Sequence, residues 1–252
     1  MSEKEPNIRH EKREAGEIVI QNRFVKWLDN FWYHHKWAII ICAIFLFAFI
    51  VCIAQCASRE VSDSYVTLAG GFEVKEKDKA ALEEILNDLS GDLDKKESMS
   101  VGVLSYTYYS EDELRALFTD EENGFDNEGY NRAKVSNTDR FSNLSDYVMT
   151  GECSIWFVSE AVYTQLKMAD RLAVPLKTTF GNLPAGAFDA CAIRLGDTAF
   201  YQYYREKLSF LPEDTLIVLT NPNAVWGASA NEEQYARVKK LYRAIIEFTP
   251  PA

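Results

Sequence analysis

Residues Trp37–Ala54 read WAIIICAIFLFAFIVCIA, eighteen positions without a charged or strongly polar side chain. At about 1.5 Å rise per residue, a helix of that length covers about 27 Å, close to the hydrocarbon thickness of a bilayer. The stretch reads as a transmembrane helix. It divides the chain into an arm and juxtamembrane segment (1–36), a span (37–57) and a large following domain (58–252).

The direction of the span follows from charge. Residues 1–36 carry seven Lys/Arg against six Asp/Glu, whereas the rest of the chain carries 20 against 32. Close to the span, Arg23, Lys26 and Lys36 precede it and Arg59 follows it. The positive-inside rule then keeps the arm in the cytoplasm and sends the domain outside, as in a single-pass protein of the cell membrane. An apolar run this long, preceded by 36 residues, fits a retained signal-anchor better than a cleaved signal peptide. The run IAQC at Ile53–Cys56 has the outline of a lipoprotein cleavage box, but Gln55 stands where a small residue is needed, so lipidation at Cys56 stays open. WLDNFWYHHKW (Trp27–Trp37) places amphipathic rings and Lys36 at headgroup level, with the lipid bilayer as their partner.

Composition narrows the chemistry. The net charge of −11 argues against nucleic acid as a partner, since phosphate binding needs a basic footprint. All three histidines, His10, His34 and His35, precede or abut the span. The domain therefore lacks the parts of Ser-His-Asp or Cys-His machinery and of His-ligated zinc sites. Gly70 and Gly71 alone do not make a phosphate loop, and NDLSGDLD around Asp88–Asp94 lacks the ligand spacing of a calcium loop. A non-catalytic domain with no cofactor and no metal is expected. A carboxylate hydrolase would need two acids converging in one pocket. Cys153 and Cys191 sit in apolar, strand-like runs and are expected as buried thiols, with a bridge between them left open.

Within the domain, SYVTLAGGF is a β-rich run, and a helix over about Lys75–Leu89, ended by Gly91, carries Leu82, Ile85, Leu86 and Leu89 on one face. Met99–Tyr108 is a second strand, and Ser110 with Glu113 forms a capping box that opens EDELRALF. Thr119–Ser136 reads as a long loop, followed from near Thr138 by a helix that stops at Gly151. CSIWFV (Cys153–Val158) is a buried strand capped by Ser159 into another helix. LAVPL, a Gly/Pro loop, the strand DACAIRL and the helix TAFYQYYREKL follow, with Phe200, Tyr203, Tyr204 and Leu208 turned inward. TLIVLT is a further strand. After the loop NPNAVWGASA, Asn231 caps a last helix whose Tyr235, Val238, Leu241, Tyr242 and Ile245 face the core. Strands alternating with helical patterns predict an α/β fold with a mostly parallel sheet flanked by helices.

Ligands of such sheets bind beyond the carboxyl ends of the strands. Trp226, in a loop after a strand, and Tyr106 and Tyr108, at the end of one, are therefore the candidate ligand-binding residues, with rings able to stack on a flat solute. The triplet NLS at Asn143 is a potential glycosylation acceptor on a predicted helix.

The run MTGECSIWFVSEAVYTQLKMADRLAVPL (Met149–Leu176) resembles extracellular solute-binding proteins of the periplasmic-binding type. Gly151, Glu152, Ile155, Phe157, Val158 and Pro175 match their helix, Gly-acid turn, buried strand, returning helix and crossing segment. FWYHHKWAIIICAIF (Phe31–Phe45) looks like the membrane-anchored proteins of Gram-positive bacteria that carry a reduced form of that domain. The resemblance implies a periplasmic-binding-protein-like fold and binding rather than catalysis, either of a small solute or in support of a membrane transporter. Ser154 stands where the family often has Asp, and its full members are longer, so an abbreviated second lobe is implied. The alternative is a scaffolding membrane protein with a protein-binding surface and no ligand pocket.

Overall fold

The structure is a computed structural model that describes residues 23–57, 62–93, 99–120, 124–151, 153–221 and 232–251. The chain divides into two compact units, Met1–Glu60 and Val61–Ala252. In the first, α1 (Arg23–Ala57) runs unbroken through the apolar stretch and starts well before Trp37. Its most apolar part, Asn30–Ala54, has mean hydropathy 3.0 and none of it is buried, so this helix is long and apolar enough to cross a membrane. Trp27 stacks on Phe31 at 5.4 Å, and the Lys36 ammonium lies 5.6 Å from the Tyr33 ring centre.

The second unit is α/β. Its elements begin with β1 (Ser64–Gly70), α2 (Glu76–Leu93), β2 (Val101–Thr107), α3 (Glu111–Leu117) and the short hairpin of β3 (Thr119–Asp120) with β4 (Gly124–Phe125). Next come α4 (Asn127–Thr150), β5 (Cys153–Val158), α5 (Glu160–Gln165), α6 (Met168–Arg171) and α7 (Leu176–Phe180). The unit finishes with β6 (Ala192–Arg194), a 3-10 turn at Leu195–Asp197, α8 (Ala199–Tyr203), β7 (Leu216–Leu219) and α9 (Glu232–Ile246).

Five strands form one sheet in the order β2-β1-β5-β7-β6. β1 runs parallel to β2, with Ser64 opposite Val101, and parallel to β5, with Val66 opposite Ile155. β7 is antiparallel to both β5 and β6. The sheet is therefore mixed, which corrects the expectation of a mostly parallel one. The reversal falls in the connection between β6 and β7. A crossover must carry the chain back along a strand of about 20 Å, which needs roughly thirteen helical residues. With 18 and 24 residues, α2 and α4 meet that requirement and return the chain for β2 and β5. Between β5 and β6 the short helices α5, α6 and α7 together bring the chain back, so that both strands run antiparallel to β7, whereas between β6 and β7 the 3-10 turn and the five-residue α8 do not. The chain stays at that end of the sheet, where the Leu195 amide donates to the Thr215 carbonyl at 2.7 Å, and β7 sets off in the opposite direction.

Helices cover both faces. Ile155 and Phe157 of β5 belong to the core beneath α2, α8 and α9, while Trp156 and Val158 belong to the core beneath α4 and α5. All six residues of β5 are buried. The capping box at Ser110 and Glu113 is formed as the sequence predicts, and Ser159 accepts from the Val162 amide.

Three helix boundaries differ from the sequence reading. Gly91 lies inside α2 rather than ending it. The predicted loop over Thr119–Ser136 is mostly the hairpin and the first turns of α4, which begins at the N-cap Asp126 and ends on the left-handed Gly151. Its buried residues Tyr130, Asn137, Leu144 and Val148 recur at seven and four positions, a stripe too sparse to stand out from Asn- and Asp-rich surroundings. The helix predicted over TAFYQYYREKL stops at Tyr203, whose side chain is half exposed, while Phe200 and Leu208 are buried. The last helix buries Val238, Leu241, Tyr242 and Ile245 as expected, and its predicted cap Asn231 lies outside the described residues.

Two substitutions test this layout by urea unfolding of the whole chain. Phe157→Ala removes a fully buried ring and is expected to cost about 3–5 kcal/mol. Gly91→Ala is expected to stabilise by about 0.5–1 kcal/mol, because the added Cβ meets nothing within 4 Å and helix interiors disfavour glycine. A loss of stability in the second variant would restore Gly91 as a helix stop.

Candidate functional site

The carboxyl ends of β1, β2 and β5 meet at one end of the sheet, where the sequence places a ligand. The Tyr108 amide donates to the Gly70 carbonyl at 3.0 Å, and the Ser159 amide to the Ala69 carbonyl at 2.9 Å. Beyond them the space is filled. Tyr108 is buried, its ring lies 4.9 Å from that of Phe141, and its hydroxyl donates to the Gln165 side chain. Gly71 passes so close to the Tyr109 ring and the Glu113 carboxylate that a Cβ there would come within 2.9–3.0 Å of both. Of the three candidate residues, then, Tyr108 is a core side chain and Trp226 lies outside the described residues.

Tyr106 is placed differently. It lies near the end of β2, the edge strand, and its ring stacks on Tyr147 of α4 at 5.2 Å. Tyr147 in turn meets the buried Trp156 at 6.0 Å. Beside this column is a hollow of about 250 Å³ lined by Ser105, Tyr106, Thr107, Arg140 and Asn143. The two α4 residues are exposed, and Asn143 of the NLS triplet thus stands on the hollow's rim while Leu144 is buried.

How the edge of β2 is closed gives the hollow its meaning. In the parallel register with β1, even-numbered residues of β2 bond inward, and odd-numbered residues present their N–H and C=O outward. Unpaired edges invite association with other strands, and proteins blunt them. Here side chains do so. The Asn87 amide of α2 mimics a strand residue: it accepts from the Val101 amide at 2.8 Å and donates to the Val101 carbonyl at 3.1 Å. Glu83, one turn earlier, accepts from the Val103 amide at 2.8 Å. Past the strand's other end, Asn137 of α4 repeats the device on Tyr109, accepting from its amide at 3.0 Å and donating to its carbonyl at 2.8 Å. Between these caps, the Val103 carbonyl and the amides and carbonyls of Ser105 and Thr107 have no partner among the described residues. Sequence reasoning found Tyr106 but not Asn87, Asn137 or Arg140. The available signal was a polar residue interrupting an apolar helix face, as Asn87 does beside Leu86.

A second depression, of about 370 Å³, lies between α7, α8 and the end of α9, with walls that include Phe180, Leu183, Ile193, Asp197 and Glu247. Glu247 there pairs with Arg243 at 3.2 Å. Among the described residues no group of three or more metal-ligating side chains gathers.

The titratable groups shifted furthest lie in the core. Burial pushes the Cys153 thiol up to about 12, and burial followed by the Asp189 and Asp170 carboxylates raises Cys191. Both are free thiols. Burial also raises Tyr242, and burial together with the hydroxyl's bond to Asp189 raises Tyr163.

An unfolded thiol ionises near pH 8.5, so the folded state's hold on these protons contributes stability that is whole below that pH. It is lost as pH rises toward 12. Urea unfolding between pH 8 and 11 should show stability falling by up to about 1.4 kcal/mol per pH unit from Cys153. Cys153→Ala should flatten the part of the curve below pH 10; an unchanged slope would contradict a fully buried thiol. Comparison of the chain with protein-family models, with curated proteins and with solved structures finds no match.

Proposed function

We propose that this chain is a membrane-anchored docking domain: α1 lies across the bilayer, residues 1–36 stay in the cytoplasm, and the α/β unit, outside, engages a membrane partner without chemistry. The observation that carries the reading is the edge of β2, closed by side chains at both ends and left open at Ser105 and Thr107 beside Tyr106 and Arg140. The exposed apolar surface of α1, and Arg23, Lys26 and Lys36 before the span against Arg59 after it, support the anchored, outward arrangement. On this reading the domain is a reduced, periplasmic-binding-like relative whose ligand crevice has closed, with Tyr108 and Gln165 filling the space at the strand ends.

Small-solute binding is the second reading. The depression near α7 and α8 favours it, because about 370 Å³ lies within the range of small-molecule sites, and Asp197 beside apolar walls would suit an amine.

Two measurements on the full chain decide. In right-side-out membrane vesicles, added protease should digest residues 58–252 and spare a tag at the amino terminus; the reverse pattern overturns the orientation. Thermal unfolding in nanodiscs against sugars, amino acids and polyamines should show no shift. A solute at about a hundred times its dissociation constant would add about 2.7 kcal/mol, and a dose-dependent rise of that kind would establish the second reading in place of the first.

A further inference from the structure

We infer that the open part of the β2 edge receives an extended, acid-bearing peptide segment of the partner as an added strand, hydrogen-bonded to Ser105 and Thr107 and held by Arg140. The inference rests on the docking reading and names what docks. Strand addition uses main-chain bonds for affinity and neighbouring side chains for choice.

The geometry commits to such an occupant. Ser105 and Thr107 are two positions apart on an edge strand, so their outward amides and carbonyls form a short ladder, extended at one end by the Val103 carbonyl. The Asn87 and Asn137 amides satisfy Val101 and Tyr109 as a neighbouring strand would. They therefore limit the added strand to the interval between them, about three to five residues at roughly 3.3 Å each. A solute without alternating donors and acceptors would leave that ladder unpaired.

The charge preference comes from Arg140. It stands exposed on the rim of the hollow with no ion-pair partner among the described residues. By contrast, Lys134 one and a half turns earlier is paired with Glu111 at 3.0 Å. A guanidinium offers a bidentate fork to a carboxylate. Asn143, one turn further along α4, presents an amide to the same space. Tyr106, backed by Tyr147 and Trp156, provides a rigid ring for a side chain of the added strand.

Proline makes the test clean. On an edge strand whose N–H faces outward, proline removes a donor without breaking the pairing with the next strand. Ser105→Pro should therefore leave the sheet folded, since Leu104 and Tyr106 carry the inward bonds to β1. The probes are a blocked pentapeptide of alternating valine and threonine with a central glutamate, its glutamine counterpart, and a version of the first with N-methylated backbone amides, each titrated by NMR against the full chain in nanodiscs.

The glutamate peptide should bind in the high-micromolar range, shifting the Ser105 and Thr107 amide signals. Ser105→Pro and backbone N-methylation should each weaken it at least tenfold, and Arg140→Gln should make the glutamate and glutamine peptides equal. Binding that Tyr106→Ala weakens but Ser105→Pro and N-methylation leave unchanged would overturn strand addition while the docking reading stood. Absence of binding by every peptide would also overturn it, leaving the docking reading to its own test in vesicles. A dimer that Ser105→Pro abolishes would replace the partner segment by a second copy of this chain.

Discussion

Strand β5 is the constraint on which the second unit depends. Every residue from Cys153 to Val158 is buried, and the strand's two sides face neighbours of opposite direction, β1 in parallel and β7 antiparallel. A strand so enclosed must bond fully along both edges and fill both layers, because an unpaired peptide group there would have no water to turn to. Phe157 and Ile155 fill one layer and Trp156 and Val158 the other. Trp156 also donates its indole N–H to the Cys153 carbonyl and to the Thr220 hydroxyl, fastening the strand to the residue just past β7. With the centre closed on both sides, the free backbone of the sheet is confined to its outer strands.

On one of these, β2, the closure is incomplete in a specific way. Helices from opposite faces, α2 and α4, each send an asparagine amide to the edge, and the two caps stand eight residues apart, on Val101 and Tyr109. Each cap bonds one residue's N–H and C=O, so it does the work of a strand residue without creating a new edge. The gap between them coincides with the hollow at Tyr106 and with the Arg140 guanidinium, which has no ion-pair partner among the described residues. Under the proposed function the two units would divide the labour: α1, long and apolar enough to cross a membrane, would confine the α/β unit to a surface, where a partner's effective concentration is high and a short, weak docking edge suffices.

Much of the fold was legible in the sequence. β1, β5 and β7 announce themselves by β-branched and aromatic runs, and the capping box at Ser110 and Glu113 forms as its residues require. Strand direction was not legible. It depends on whether a connecting segment carries the chain back along the sheet, and periodicity around Phe200, Tyr204 and Leu208 looks the same for a continuous helix as for the short helix and turns that bury two of those three. Tyr106 could be found as an aromatic at a strand's end, whereas Tyr108, two residues on, goes to the core because Phe141 and Gln165 happen to lie over it. The importance of Asn87, Asn137 and Arg140 arises only once β2 is known to be an edge, which is a property of the whole sheet rather than of any local pattern.

Amide hydrogen exchange of the full chain in nanodiscs, read residue by residue along β2, tests this account most directly. Val101, Val103 and Tyr109, whose amides are held by Asn87, Glu83 and Asn137, should exchange slowly, and Ser105 and Thr107 should exchange far faster although they lie in the same strand. Uniform protection from Val101 to Tyr109 would mean that the edge is already covered, and would contradict the open docking edge on which the proposed function rests.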